Sequence, residues 1–194
     1  SNYSWNLELG HKISQLAKEQ NPYLITIFGG PNFPEAPAER MQFLKRRTAI
    51  DFYIQNEGEI GFVELVRKLQ QYNYNMGALK QSKEAVTNCV YIYRDADSRN
   101  VDSRDTESEE LIQGPFQRIL DLNSIPSPYL SGIMDPFFDM PLTPMIETTR
   151  GCPFTCAFCA DGVLSKSRVV RFDRERAREE LNYIVQRIRN VDEL

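Results

Sequence analysis

The sequence predicts an α/β protein: a parallel, doubly wound sheet in the first half, a linker, and then a separate unit of strand, loop and helix. Three observations lead there. Short apolar runs alternate with stretches of helical periodicity through the first 95 residues. An acidic and then proline-set stretch interrupts that alternation. Structure then resumes at a strand that runs directly into a cysteine-rich loop.

Taken in order, Leu9, Ile13, Leu16 and Ala17 recur at helical spacing and predict a first helix with one apolar face. Leu24 to Phe28, bounded by Pro22 and by Gly29-Gly30-Pro31, reads as a strand buried on both faces. A helix from about Pro34 to Arg47 leads to a second strand, Ile50 to Ile54. Phe62, Leu65, Val66 and Leu69 fall at i, i+3, i+4 and i+7 and mark a further helix. Cys89 to Tyr93 is the next strand, read as half of a hairpin closing near Arg99-Asn100.

From Asp95 to Glu110 acidic residues dominate and Val101 is the only large aliphatic one, so an exposed loop or linker is expected. Ile125 to Tyr129 and Asp135 to Phe138 continue it as extended, proline-set but partly apolar chain. Pro144 to Thr148 is a strand candidate, and Ala177, Leu181, Ile184, Val185 and Ile188 define one face of a last helix. The domains expected are residues 1–95, a linker over 96–140, and 141–194. One βα unit cannot close a sheet or a barrel. The second domain is therefore expected to be truncated or completed elsewhere in the protein, in keeping with a chain that opens on Ser1 rather than Met.

Composition narrows the function classes. Apolar residues make up 41% of 194, and Lys+Arg 23 against Asp+Glu 27 leave a net charge of −4, which offers no electrostatic case for nucleic acid. No apolar run reaches the roughly 18 to 20 residues of a membrane span, and the first residues carry no signal-peptide pattern. A cytoplasmic protein with no membrane partner is the expectation.

Of the four cysteines, Cys152, Cys156 and Cys159 lie within eight residues as a C-x3-C-x2-C array. Three thiolates this close can converge on one metal centre if the backbone wraps around it. A structural zinc site normally takes a fourth ligand. The candidates for it are poor: Cys89 in an apolar strand, His11 on a helix, and Asp161, a hard oxygen donor. Three thiolates instead suit a cubane iron–sulfur cluster with one iron open to an exchangeable ligand. Arg150, Lys166, Arg168 and Arg171 oppose only Asp161 across this stretch, which favours an anionic ligand, although basic residues near a helix start are also commonly just solvated.

With Phe158 in the position before the third cysteine, and Thr149-Arg150-Gly151-Cys152-Pro153-Phe154 ahead of it, the loop resembles that of radical S-adenosylmethionine (SAM) enzymes. The resemblance implies a [4Fe–4S] cluster on Cys152, Cys156 and Cys159, with the open iron chelating SAM, Phe158 at the cofactor site, and reductive cleavage to a 5′-deoxyadenosyl radical. An external electron donor such as flavodoxin or ferredoxin would be the partner.

The first half resembles the cobalamin-binding domains fused to one branch of that family. The matching stretches are Ser1-Asn2-Tyr3-Ser4-Trp5-Asn6, the strand ending in Gly29-Gly30-Pro31, Asn56-Glu57-Gly58-Glu59, and the Ile125-Pro126-Ser127-Pro128-Tyr129 connector, all in order. The fold implied is a partial Rossmann-like sheet of cobalamin-binding type, then a linker, then the first βα unit of a truncated radical SAM partial barrel. Ser1, Tyr3, Gly29, Gly30 and Glu57 would contact cobalamin, and the reaction implied is methyl transfer. Glycines at the carboxyl end of a strand let a bulky ligand approach the backbone. Read without the resemblance, Gly29-Gly30 is a tight βα turn, and Glu57 and Glu59 are acids at a helix start.

Two other readings stay open: radical SAM chemistry without cobalamin, and a non-catalytic zinc or iron–sulfur module. His11 is expected at the surface. Cys89 is expected in the core, Trp5, Tyr53 and Phe137-Phe138 in packing, and Glu175 to Glu180 on a solvated helix face.

Overall fold

The computed structural model describes residues 3–94, 109–159, 162 and 166–188. They fall into two units, Ser1–Arg118 and Ile119–Leu194. The first unit runs α1 (Leu7–Gln20), β1 (Ile27–Gly29), α2 (Pro37–Lys45), β2 (Phe52–Ile54), α3 (Gly58–Gln71), α4 (Met76–Gln81), β3 (Cys89–Arg94) and β4 (Glu109–Gln113). The second holds β5 (Thr149–Arg150), β6 (Val170–Arg171) and α5 (Arg174–Arg187), preceded by two 3-10 turns at Leu122–Ser124 and Asp135–Phe137.

The architecture is α/β, but the sheet is mixed where a parallel one is expected. Its order is β1-β2-β3-β4, and only β1 and β2 are parallel, with Ile27 opposite Phe52 and Gly29 opposite Ile54. β3 runs antiparallel to β2, with Cys89 opposite Ile54. The reason lies in the connection: α3 carries the chain back along the sheet, and α4 with residues 82–88 then returns it to the carboxyl end of β2. A single crossover helix would have produced a parallel neighbour.

β4 pairs antiparallel with β3 from Gln113 opposite Val90 to Glu109 opposite Arg94, so the two form the arms of a hairpin. Its expected closure at Arg99-Asn100 lies outside the described residues. The sheet thereby reaches into the stretch expected as linker. Glu109 is held by Lys45 at 2.5 Å and Arg94 at 2.8 Å, and Glu110 by Lys83 at 2.7 Å. Paired charge lets an acidic segment serve as a strand at a sheet edge.

One face of the sheet buries Phe52, Ile54, Cys89 and Tyr91 against Leu65 and Leu69 of α3 and Leu79 of α4. The other buries Tyr53, Val90 and Ile92 with Leu44 of α2. Cys89 is a core residue as expected, and burial pushes its thiol up to about 12. Asn88, fully buried with φ of 53°, binds the backbone of Gln117 through both side-chain atoms, Nδ2 donating at 2.7 Å and Oδ1 accepting at 2.8 Å.

α1 departs from its expectation. Leu7 and His11 are its buried residues, while Leu9, Ile13 and Leu16 are exposed. Lys18 of α1 reaches Asp51 at 2.6 Å and Arg47 reaches Glu8 at 2.7 Å, and these pairs turn the His11 side of the helix inward. Burial correspondingly lowers the His11 pKa.

In the second unit Tyr129, Phe138 and Ile184 form a small core. The Tyr129 hydroxyl donates to Met145 O at 2.7 Å and accepts from Met145 N at 3.1 Å. Arg176 of α5 donates to Ile125 O at 2.5 Å and pairs with Glu180 at 3.2 Å, so Glu180 is buried within the run expected to be solvated. Leu181 and Val185 are exposed, and Ile184 alone of the three anchors the helix. The strand expected at 144–148 forms one step later, at Thr149–Arg150, where it finds a partner in β6. Among the described residues no helix is long and apolar enough to cross a membrane.

Candidate functional site

Two regions carry the sequence-predicted site residues, one in each unit. In the first unit Gly29, Gly30 and Glu57 lie at one end of the sheet, because β1 and β2 are parallel and in register. The open space above adjacent carboxyl ends is where α/β sheets accept ligands. A Cβ on Gly29 would stand 3.1 Å from Ile54 O, so the close packing of β1 on β2 leaves little room for a side chain there. The Tyr53 hydroxyl donates to Gly30 O at 3.0 Å, and its ring stacks on Phe33 at 3.9 Å, which pins the turn after β1.

Glu57 precedes α3 but caps nothing with its side chain. It pairs instead with Arg118 at 3.2 Å, each side chain about 10% exposed. Tyr3 stands ahead of α1, where its N–H donates to Asn6 Oδ1 at 2.7 Å and its ring stacks on the exposed Trp5 at 4.5 Å. Ser1 lies outside the described residues. Arg118 is the partner that sequence reasoning missed, and 61 residues of separation from Glu57 leave no local signal for it.

In the second unit the cysteine loop hangs between β5 and β6, which pair antiparallel with Thr149 opposite Arg171 and Arg150 opposite Val170. Gly151 has φ of +100°, and a Cβ there would stand 2.4 Å from Arg168 O. Only glycine takes that backbone without strain. The N–H of Cys152 donates to Lys166 O at 3.1 Å, Cys159 N to Cys156 O at 3.0 Å, and Gly162 N to Cys159 O at 3.0 Å. The bond from Cys159 to Cys156 closes a turn between these two cysteines.

All three thiols are free of disulfides: Cys152 is half-buried, Cys156 and Cys159 are exposed. Phe158 is 93% exposed beside them. Arg150 lies against Glu147 in a two-pronged pair, at 2.9 Å and 2.6 Å, so Glu147 is a further residue the sequence did not flag. Asp161 lies outside the described residues. Among the described residues no three His, Cys, Asp or Glu side chains are gathered to hold a metal ion. By donor chemistry the loop fits a thiolate-bound cluster, since it offers three soft sulfur donors, none in a disulfide, within eight residues of chain.

No family model matches the chain. Three relatives are informative. The 2-(S-pantetheinyl)-carbapenam-3-carboxylate methyltransferase of Streptantibioticus cattleyicolor is 30% identical over 95% of this chain and 24% of its own length. The cobalamin-dependent radical SAM methyltransferase TokK of Streptomyces tokunonensis is 28% identical over 95% of this chain and 24% of its own. The anaerobic magnesium-protoporphyrin IX monomethyl ester cyclase of Rubrivivax gelatinosus is 27% identical over 89% and 28%. The chain thus spans about a quarter of the length of the curated relatives it matches.

Proposed function

We propose that the chain belongs to the radical SAM enzymes that carry a cobalamin-binding domain and that it serves a methyltransferase, a reading supported by its likeness to such relatives. The observation that carries this reading is the cysteine loop, with three cysteines outside any disulfide in the stretch between β5 and β6. Cys152, Cys156 and Cys159 would hold a [4Fe–4S] cluster as thiolates. When bound, such a cluster with one open iron supplies the electron for reductive cleavage of SAM.

The chain's own contributions are positional. Gly151 lets the loop turn tightly enough to bring Cys152 beside Lys166, and Phe158 offers an apolar cover that would exclude water from the cluster. Arg150, two residues ahead of Cys152, is held in an ion pair by Glu147. In the first unit Gly29 and Gly30 would let cobalamin approach the sheet end, with Glu57, Tyr3 and Ser1 around it. The Rossmann-like arrangement of that unit, and a partial barrel opening at β5, belong to the same proposal. An external electron donor such as flavodoxin or ferredoxin would deliver the electron.

A second reading keeps the radical chemistry and drops cobalamin. It is favoured by Glu57 being closed by Arg118 and by the Gly30 turn being fastened by Tyr53, which gives both features a purely structural use.

The test is anaerobic reconstitution of the full-length protein and its Cys156→Ala variant, followed by iron, sulfide, zinc and cobalt analysis. Matched iron and sulfide in the parent, lost in Cys156→Ala, is the expected result. Normal iron in the variant, or zinc without sulfide in the parent, overturns the ligand assignment. Cobalt retained after cobalamin loading supports the first reading, and its absence selects the second.

A further inference from the structure

At the end of the sheet opposite Gly29 and Gly30, the first unit holds a cavity of about 230 Å³. Its walls are of two kinds. Ile50, Met76 and Ile92 line it with apolar surface, and Asp51, Lys80 and Arg94 present charge. At about 30 Å³ of liquid volume per water, it has room for roughly eight non-hydrogen atoms.

The charges in it are unevenly matched. One oxygen of Asp51 is already engaged: Oδ2 accepts from Lys18 Nζ at 2.6 Å, from Thr26 N at 2.7 Å and from Thr26 Oγ1 at 2.9 Å, and Oδ1 faces Lys80. Glu109 is shared between Lys45 and Arg94. Lys80 is left over. Its Nζ stands 3.9 Å from Asp51 Oδ1, beyond hydrogen-bond reach, and 5.1 Å from the centre of the Phe52 ring. The side chain is only 17% exposed, and no hydrogen bond is made by its ammonium among the described residues.

Of the charged residues that line the cavity, Lys80 and Arg94 are cations and Asp51 is the carboxylate, and Asp51 and Arg94 have their hydrogen-bonded partners, Lys18 and Glu109, outside the lining. A largely buried ammonium that makes no hydrogen bond to the described residues gains from an anion that accepts from it. Burial is the largest influence on this amine and draws its pKa down to about 8, while Asp51 opposes that shift and Arg94 and Lys18 add to it.

We propose that this cavity is a binding site for a small carboxylate with a short apolar tail, its carboxylate on Lys80 and its tail along Ile50, Met76 and Ile92. A bare inorganic anion would leave the apolar wall wet, and an uncharged tail would leave Lys80 without an acceptor. A six-carbon fatty acid anion has eight non-hydrogen atoms and matches the space. The site is independent of the sheet end and of the cysteine loop, so it stands or falls separately from the reading of the enzyme's function.

The test is titration calorimetry of the full-length protein with hexanoate, 1-hexanol and inorganic phosphate, repeated on Lys80→Met. Hexanoate should bind at least tenfold more tightly than either of the other probes and lose at least tenfold in affinity in Lys80→Met. At pH 8 its binding should draw protons from the buffer, because the carboxylate favours charged Lys80. Equal affinity for hexanol would mean an apolar hole with no anion recognition. Equal affinity for phosphate would mean a bare anion site, and unchanged hexanoate binding in Lys80→Met would remove the residue on which the proposal rests. Any of the three overturns it. A circular dichroism spectrum matching the parent establishes that the variant is folded.

Discussion

Lys80 has a consequence for stability as well as for binding. Its pKa in the folded protein, about 8, lies below the ordinary 10.5, so the folded state releases the proton before the unfolded chain does. Below pH 8 both states are protonated and the full penalty of burying the ammonium is present. Between pH 8 and 10.5 the unfolded chain binds more protons, and stability attributable to this group rises with pH. Lys80→Met removes the charge while keeping the apolar stem. It should raise unfolding free energy at pH 7 by up to about 3 kcal/mol, and the advantage should vanish by about pH 10.5. Urea denaturation at the two pH values reads this directly.

A residue held at such a cost is a candidate for function on physical grounds. The sequence offered no signal for it, because Lys80 sits in a six-residue helix with no periodic pattern. The cysteine array, by contrast, stands out in the sequence by its spacing. Gly151 lies between these cases. Its neighbour Cys152 draws attention to it, but only the 2.4 Å approach to Arg168 O explains why no side chain fits. Gly151→Ala should lower iron uptake on reconstitution several-fold while leaving the far-ultraviolet circular dichroism of the protein close to that of the parent.

At the scale of elements, β4 shows how pairing overrides composition. Glu109 is held below the usual carboxylate range, chiefly by its hydrogen bond to Lys45, with Arg94 adding to it. A carboxylate with a lowered folded pKa contributes stability above its unfolded value and loses it as pH falls through the folded one. Glu109→Gln should therefore cost about 1 kcal/mol at neutral pH, and the difference from the parent should close as the pH drops below 4. Urea titrations at pH 7 and pH 3.5 check the sign.

α3 was readable because Leu65 and Leu69 lie on its buried face at i, i+4. Leu65 is fully buried, and Leu65→Ala should cost 2 to 5 kcal/mol in the same denaturation assay. α1 was misread for the opposite reason. Its apolar stripe of Leu9, Ile13 and Leu16 is exposed, and long-range pairs, Lys18 with Asp51 and Arg47 with Glu8, decide its orientation. Such pairs join positions 33 and 39 residues apart and leave no trace in local periodicity. The antiparallel course of β3 was hidden in the same way, since the period of a strand does not reveal its direction.

At the scale of the whole molecule, each unit carries its own core and its own candidate site. Phe52, Leu65 and Tyr91 lie at the centre of the first, and Tyr129, Phe138 and Ile184 form that of the second. The order of motifs was read along the chain as a whole, and the relatives likewise align with 95% of it. The side-chain partners at the sheet end, Arg118 for Glu57 and Tyr53 for the Gly30 turn, were not, because they depend on the mixed sheet bringing distant residues together.

The central claim is that the three cysteines hold a cluster with one open iron. Electron paramagnetic resonance of the reduced, anaerobically reconstituted full-length protein tests it most directly. The account predicts the signal of a reduced [4Fe–4S] cluster whose g values shift when SAM is added. A cluster signal indifferent to SAM, or no cluster signal from a folded protein that holds zinc, would contradict it.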